Sequence, residues 1–203
     1  MTKASERPYH HGDLRRTIID TAMEMLREEK NWQFTLRELA RRADVSHGAP
    51  YKHFPDKAAL LAELAMIGFD RLREALTVAG SSLQTSPRDA LLPMAKAYVA
   101  FGVENPALYR LMFSAEANHS TNLHLSDRAL GVFNILREVL ERGQALGFIR
   151  SRPILGQAAA CWAIIHGMTM LSIDQLLLPE KVGTAPLESA LATLMEGLSN
   201  GAD

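Results

Sequence analysis

The sequence has almost no cysteine and almost no net charge. Cys161 is the one cysteine in 203 residues, so no intramolecular disulfide can form and a reducing, cytoplasmic setting is expected. It stands in an apolar stretch and reads as a buried, inert thiol rather than a redox group. Lys and Arg number 22 against 23 Asp and Glu, a formal charge of −1, so total charge does not point to a polyanionic partner. Residues 1–60 carry eleven basic and nine acidic side chains, leaving eleven and fourteen for the rest. Any nucleic-acid contact must then rest on a few placed cations. The N-terminal stretch MTKASERPYHHGDLRR lacks an apolar core and does not read as a secretory leader.

Other absences exclude whole classes of chemistry. No Gly-rich phosphate loop, nucleophile elbow or zinc-type His/Glu spacing is present, which leaves a helical enzyme as a remote alternative. No cofactor or metal is expected: His10-His11 is a short pair, and His119 and His124 read as solvated residues of a polar loop. Residues 153–173 contain no charge and approach the length of a membrane span. They include Gln157, His166, Thr169 and Ser172, and a helix buried inside a bundle or dimer suits them better than a membrane.

What the chain does contain is helical periodicity. Leu14, Ile18, Ala22, Met25 and Leu26 form one apolar stripe. Further stripes follow from Leu60 to Leu76, Leu91 to Phe101, Val132 to Leu140 and Leu187 to Leu198. The expectation is an all-α fold of about nine helices. Short helices before residue 56 and long ones after it predict a three-helix head on a larger helical body, joined by a helix starting near Asp56.

Residues 34–54, FTLRELARRADVSHGAPYKHF, hold the most specific local signals. Thr35 and Glu38 form a capping box, with Phe34 and Leu39 as its hydrophobic staple. Ser46 is a second N-cap, with Val45 and Pro50 as another staple. Asp44 falls in the turn, where a left-handed residue is needed and Asp is tolerated. Two short helices with a three-residue turn make a helix-turn-helix, or, more plainly, a structural hairpin. In the first reading the second helix enters the major groove. Its composition suits close approach: His47, Gly48 and Ala49 are small or polar, and Tyr51 and Lys52 can reach phosphates. Lys57 lies in the first turn of the next helix, where a cation opposes the helix dipole; it either meets a phosphate or is simply solvated.

These residues resemble the TetR family of bacterial regulators. The resemblance rests on Thr35, Ala40, Val45, Tyr51, His53-Phe54 and Lys57, and covers about 12–72. It implies that Thr35 and Arg37 contact the backbone or groove, that Ser46, His47, Gly48 and Ala49 face the bases, and that Tyr51, Lys52, His53 and Lys57 hold phosphates. Asp44, where the family usually has Gly, and Pro50, where many members carry Leu or Ile, depart from the pattern. The arm 1–11, with Lys3, Arg7, Tyr9, His10 and His11, is either a flexible tail or an additional DNA contact.

The body resembles a narrower group in the same family, through 105–113 (NPALYRLMF) and 162–167 (WAIIHG). That implies a ligand-binding and dimerisation domain over 73–203, whose last two long helices pair with a partner's as a four-helix bundle. Ala159 and Leu191 are expected on that dimer face. Tyr98, Phe101, Met112, Phe113, Trp162, His166 and Met170 either line a ligand cavity or are packing residues. The implied function is a homodimeric repressor that binds a palindromic operator on double-stranded DNA and is released by a small-molecule effector. A ligand-independent repressor or an activator is the alternative.

Overall fold

The computed structural model describes residues 11–81, 87–118 and 122–199. Residues 1–10 of the arm, and His119, lie outside the described residues. Among the described residues the only strand-like feature is a single antiparallel bridge between Ile149 and Ser199. The helices are α1 (His11–Glu29), α2 (Leu36–Arg42), α3 (Lys57–Ser81), α4 (Pro87–Glu104), α5 (Pro106–Met112), α6 (Ala115–Asn118), α7 (Asp127–Ala145), α8 (Ile154–Ile173), α9 (Pro179–Val182) and α10 (Pro186–Leu198). Two 3-10 turns, Pro50–Lys52 and Leu123–Leu125, interrupt the connections. The all-α architecture is as the stripes require. The described α-helices number ten, in line with the expected about nine; α6 and α9 are single turns, too short to show a period.

Local chemistry sets the boundaries. The Glu38 amide donates to Thr35 Oγ1 at 3.1 Å and the Thr35 amide to Glu38 Oε2 at 2.6 Å, completing the capping box of α2. The Ala59 amide donates to Asp56 Oδ1 at 2.8 Å, which caps α3. Ser126 caps α7 through the Ala129 amide. Pro106, Pro179 and Pro186 open α5, α9 and α10, where a missing amide costs nothing. α7 ends at Ala145; Gly147, just beyond its cap residue Leu146, takes φ +76°, and the amides of Phe148 and Ile149 both return to the Gly143 carbonyl.

The spine is α3, which packs on α1 in the head and on α4, α5, α6 and α7 in the body. Its buried residues Leu60, Leu64, Phe69, Leu72 and Leu76 belong to one apolar cluster that runs from Leu14 and Leu39 to Tyr109 and Val132. Head and body therefore share a core, and α3 passes straight through the expected boundary at 72/73. A second cluster joins Leu140, Ile149, Cys161, Met195 and Leu198. Cys161 is buried there, and burial pushes its thiol up to about 11, as an inert thiol should be.

α8 crosses α4 closely: a Cβ at Gly102 would collide with Thr169 Cγ2. Its outer face is open. α8 is long and apolar enough to cross a membrane by length and composition, and 28% of that apolar window is buried within the chain. Leu155, Ala159, Trp162, Ala163 and Leu171 lie exposed along it. Leu191 corrects the sequence reading: it is buried against the protomer's own core, because α10 turns that stripe toward α4 and α8 rather than outward.

Candidate DNA-contact surface and ligand cavity

In the head, α2 is held down by buried Leu36, Leu39 and Ala40 and by an ion pair between Arg42 and Glu28 of α1. The chain then reverses through Asp44, whose φ of +53° is the left-handed conformation the turn demands. The Val45 amide closes the turn on the Ala40 carbonyl at 3.0 Å.

The segment after Ser46 is not the regular α-helix expected from its cap. The Ser46 carbonyl takes the Ala49 amide at 2.8 Å, Ala49 takes Lys52, and Pro50 takes His53 and Phe54. The result is a turn leading into the 3-10 helix Pro50–Lys52. Pro50 is the reason. An α-helical Ser46 carbonyl would accept from residue 50, which has no amide, so the chain tightens to the i+3 pattern.

This segment has an inside and an outside. Ala49, Pro50 and Phe54 are buried. Ala49 is 3% exposed and its methyl packs in the main core, which corrects its expected place among the base-facing residues. Ser46, His47, Gly48, Tyr51 and Lys52 are exposed, as are Thr35 and Arg37 on α2. At Gly48 an added Cβ would meet nothing within 4 Å, so no internal packing requires glycine there. His53 is half-buried and its Nε2 has no hydrogen-bond partner, so any outward contact falls to its other nitrogen.

Lys57, in the first turn of α3, carries its ammonium over the Phe34 ring at 5.5 Å. Burial pushes its pKa down, offset in part by Glu38 and Glu116. Hydrogen bonds from Thr35 hold the Glu38 carboxyl below the usual carboxylate range. On the other side of the head, Arg15 of α1 lies over the Phe54 ring at 5.4 Å and pairs with Glu63 of α3 at 3.2 Å.

The body holds a partly open cavity of about 270 Å³. Phe69 and Leu76 of α3, Met94 and Tyr98 of α4, Phe133 and Leu136 of α7, and Trp162 and Ile165 of α8 wall it, with Phe113 and His124 at one end. Of the seven sequence candidates, Tyr98, Phe113 and Trp162 line it. His166 stands behind the wall, with Nδ1 2.7 Å from the Tyr109 hydroxyl. Phe101, Met112 and Met170 are corrections, packing instead into the main core. Met112 is fully buried, and its sulfur occupies the space a Cβ at Gly68 would need.

His124 also corrects the sequence reading. The 3-10 turn Leu123–Leu125 folds it onto Phe113, ring centroids 5.7 Å apart and nearly parallel, and edge-on to Phe69. Burial pushes its pKa down. The only signal for it in the sequence is its place beside Leu123 and Leu125. Among the described residues no group of three or more His, Cys, Asp or Glu could hold a metal.

Comparison with known proteins follows the same two parts. Residues 18–64 match the family of bacterial regulatory proteins, tetR family, and 91–195 the tetracyclin repressor-like C-terminal domain. The HTH-type transcriptional regulator YobS of Bacillus subtilis (strain 168), itself uncharacterized, is 25% identical over 187 residues, spanning 92% of this chain and 93% of YobS. A protein of unknown function from Rhodococcus sp. RHA1 superposes with a TM-score of 0.78 at 31% identity, covering 96% of this chain and all of that one. A tetR-family regulator from Shewanella sp. PV-4 shares the fold at a TM-score of 0.70 and 21% identity, over 93% and 99% of the two chains. The fatty acid degradation regulator FadR of Bacillus halodurans does so at 0.70 and 17%, over 94% and 97%. With both halves matched, and a head that presents a helix-turn-helix, the chain belongs to the TetR family of DNA-binding transcription regulators.

Proposed function

We propose that the protein is a ligand-responsive repressor that binds a palindromic operator as a homodimer and is released by a small molecule. The observation that carries this reading is the shared helix. Phe69 and Leu76 of the cavity wall lie on α3, which begins at Lys57 beside the DNA-contact surface. An occupant that prefers one position of α3 shifts the head by its differential affinity for the two states.

In this reading 12–72 is the DNA-binding head and 73–203 the sensing and dimerising body. Ser46, His47 and Gly48 face base edges; Thr35 and Arg37 flank the groove; Tyr51, Lys52, His53 and Lys57 hold phosphates. A phosphate near Lys57 would offset the dipole and burial costs that Glu38 and Glu116 only partly meet. The open apolar face of α8, continuous with Ala190 and Leu194 of α10 across a shallow groove, supports pairing with a second copy. The protein acts without a catalytic step, in the cytoplasm.

The test is genome-wide footprinting of bound DNA, followed by a reporter fused to the recovered promoter with and without the gene. Higher expression without the gene, and half-sites about 34–36 Å apart, are expected. Lower expression without it would make the protein an activator. Operator binding that no small molecule shifts would make it a ligand-independent regulator.

A further inference from the structure

Resting on the reading of the body cavity as an effector site, we propose that its occupant is an uncharged, mainly apolar molecule with one hydrogen-bond-accepting oxygen, held by the Tyr98 hydroxyl. Among the described residues the lining contains no Lys, Arg, Asp or Glu. Its polar side-chain groups are the Tyr98 hydroxyl, the Trp162 indole and the His124 imidazole. A carboxylate, phosphate or ammonium would lose its water with no counter-ion to meet it. The histidines do not supply one: burial pushes both His124 and His166 down, so both rings are neutral near pH 7.

Hydrogen-bond polarity supplies the acceptor. The Tyr109 hydroxyl lies 3.2 Å from the Tyr98 hydroxyl and 2.7 Å from His166 Nδ1, and the His166 tautomer sets which way the two bonds run. The proposal includes the tautomer with hydrogen on Nδ1. That Nδ1–H donates to the Tyr109 oxygen, the Tyr109 hydrogen goes to Tyr98, and the Tyr98 hydrogen is left for the cavity that Tyr98 lines. A buried hydroxyl hydrogen with no acceptor is costly, so the site selects a ligand that provides one. The remaining wall is aromatic and aliphatic, with Phe133 edge-on to Trp162 at 6.4 Å and Phe69 edge-on to Phe113 at 5.7 Å. A cavity of about 270 Å³ suits a small apolar body rather than a long acyl conjugate.

Four probes of similar size separate these features in calorimetric titrations of the full-length protein. They are 1-acetylnaphthalene, 1-ethylnaphthalene, 1-naphthoate and 1-naphthylmethylammonium. The ketone is expected to bind tightest. The ethyl analogue, without an acceptor, should bind about 5–10-fold more weakly, and the two ions at least about 100-fold more weakly. Tyr98→Phe should abolish the ketone's advantage while leaving 1-ethylnaphthalene affinity unchanged, which also shows that the variant's cavity is intact. Naphthoate or the ammonium binding as tightly as the ketone overturns the proposal but leaves an effector site. Equal affinity for ketone and ethyl analogue in the unaltered protein overturns the role of Tyr98. Binding by none of the four defeats the effector-site reading itself, and the proposal with it.

Discussion

Arg128, in the first turn of α7, grips Asp70 of α3 through Nε at 2.8 Å and through Nη2, and reaches Glu63 at 3.6 Å. Glu63 is also the partner of Arg15 on α1. A helix of the cavity wall, the connecting helix and the first helix of the head are therefore tied by one chain of charges. The Asp70 bonds also raise the Arg128 pKa further. Arg128→Met should cost only about 0.5–1 kcal/mol, because the pairs are partly exposed. Urea unfolding of the single variants and of a double variant with Asp70→Asn would measure the coupling. A coupling near zero would mean the clamp holds nothing.

In the head, Tyr51→Ala and Lys52→Ala should weaken operator binding without shifting the melting temperature, since both side chains are exposed. Loss of the Lys52 charge should reduce the slope of log affinity against log salt by about 1, whereas loss of the uncharged Tyr51 hydroxyl should lower affinity at every salt concentration and leave the slope as it is. Fluorescence anisotropy at several salt concentrations reads both directly. An unchanged slope for Lys52→Ala, or an unchanged affinity for Tyr51→Ala, would remove that residue from the phosphate set. Lys57→Ala should behave like Lys52→Ala, with a small loss of packing on Phe34.

Gly48 offers a sharper test of close approach. Nothing in the protein lies within 4 Å of a Cβ placed there, so Gly48→Ala should fold normally. If the backbone meets DNA at this point, affinity falls by about tenfold or more, the cost of roughly 1.4 kcal/mol of steric conflict. Unchanged affinity would place the groove elsewhere.

On α8, Ala163→Glu puts a charge on the open apolar face; if that face is the proposed dimer seam, light scattering should read a monomer for the variant and a dimer for the unaltered protein, with the far-ultraviolet helical signal retained. Leu191→Glu should instead unfold the body, because Leu191 is 5% exposed and packed inside the protomer. A folded Leu191→Glu monomer would reverse the assignment of the two helix faces.

Acid should destabilise the protein through its buried imidazoles. Both His124 and His166 are held below their ordinary value of 6.5 by burial. Below that value the unfolded chain takes up protons that the folded rings refuse, so stability is full above it and falls as pH drops toward the folded values. Thermal melts at about pH 7.5 and about pH 5.5 should differ, and His124→Gln should reduce the difference. An unaltered difference would assign the acid sensitivity to other groups.

Much of this was legible in the sequence because it is local. Thr35, Glu38, Asp44 and Asp56 act within three or four residues of themselves, and each does in the structure what its position requires. Period sufficed to read the long helices but not the single turns α6 and α9, and a charge-free 153–173 sufficed to mark α8 as a helix with two apolar faces. Pro50 was visible too, but its consequence was not. Losing one amide at the start of a helix is cheap, yet here it decides between α and 3-10 winding and turns Ala49 inward.

The sequence by itself thus determined which segments are helical, where the helix-turn-helix lies and which family pattern it follows, because caps, turns and stripes depend on near neighbours. Only the tertiary structure decided which apolar residues leave an empty space between them. Phe101 and Met112 lie on the same kinds of stripe as Tyr98 and Phe133, and the difference between core and cavity is set by how four helices cross, not by the residue type. His124 joined the cavity, and Leu191 left the dimer face, for that same reason.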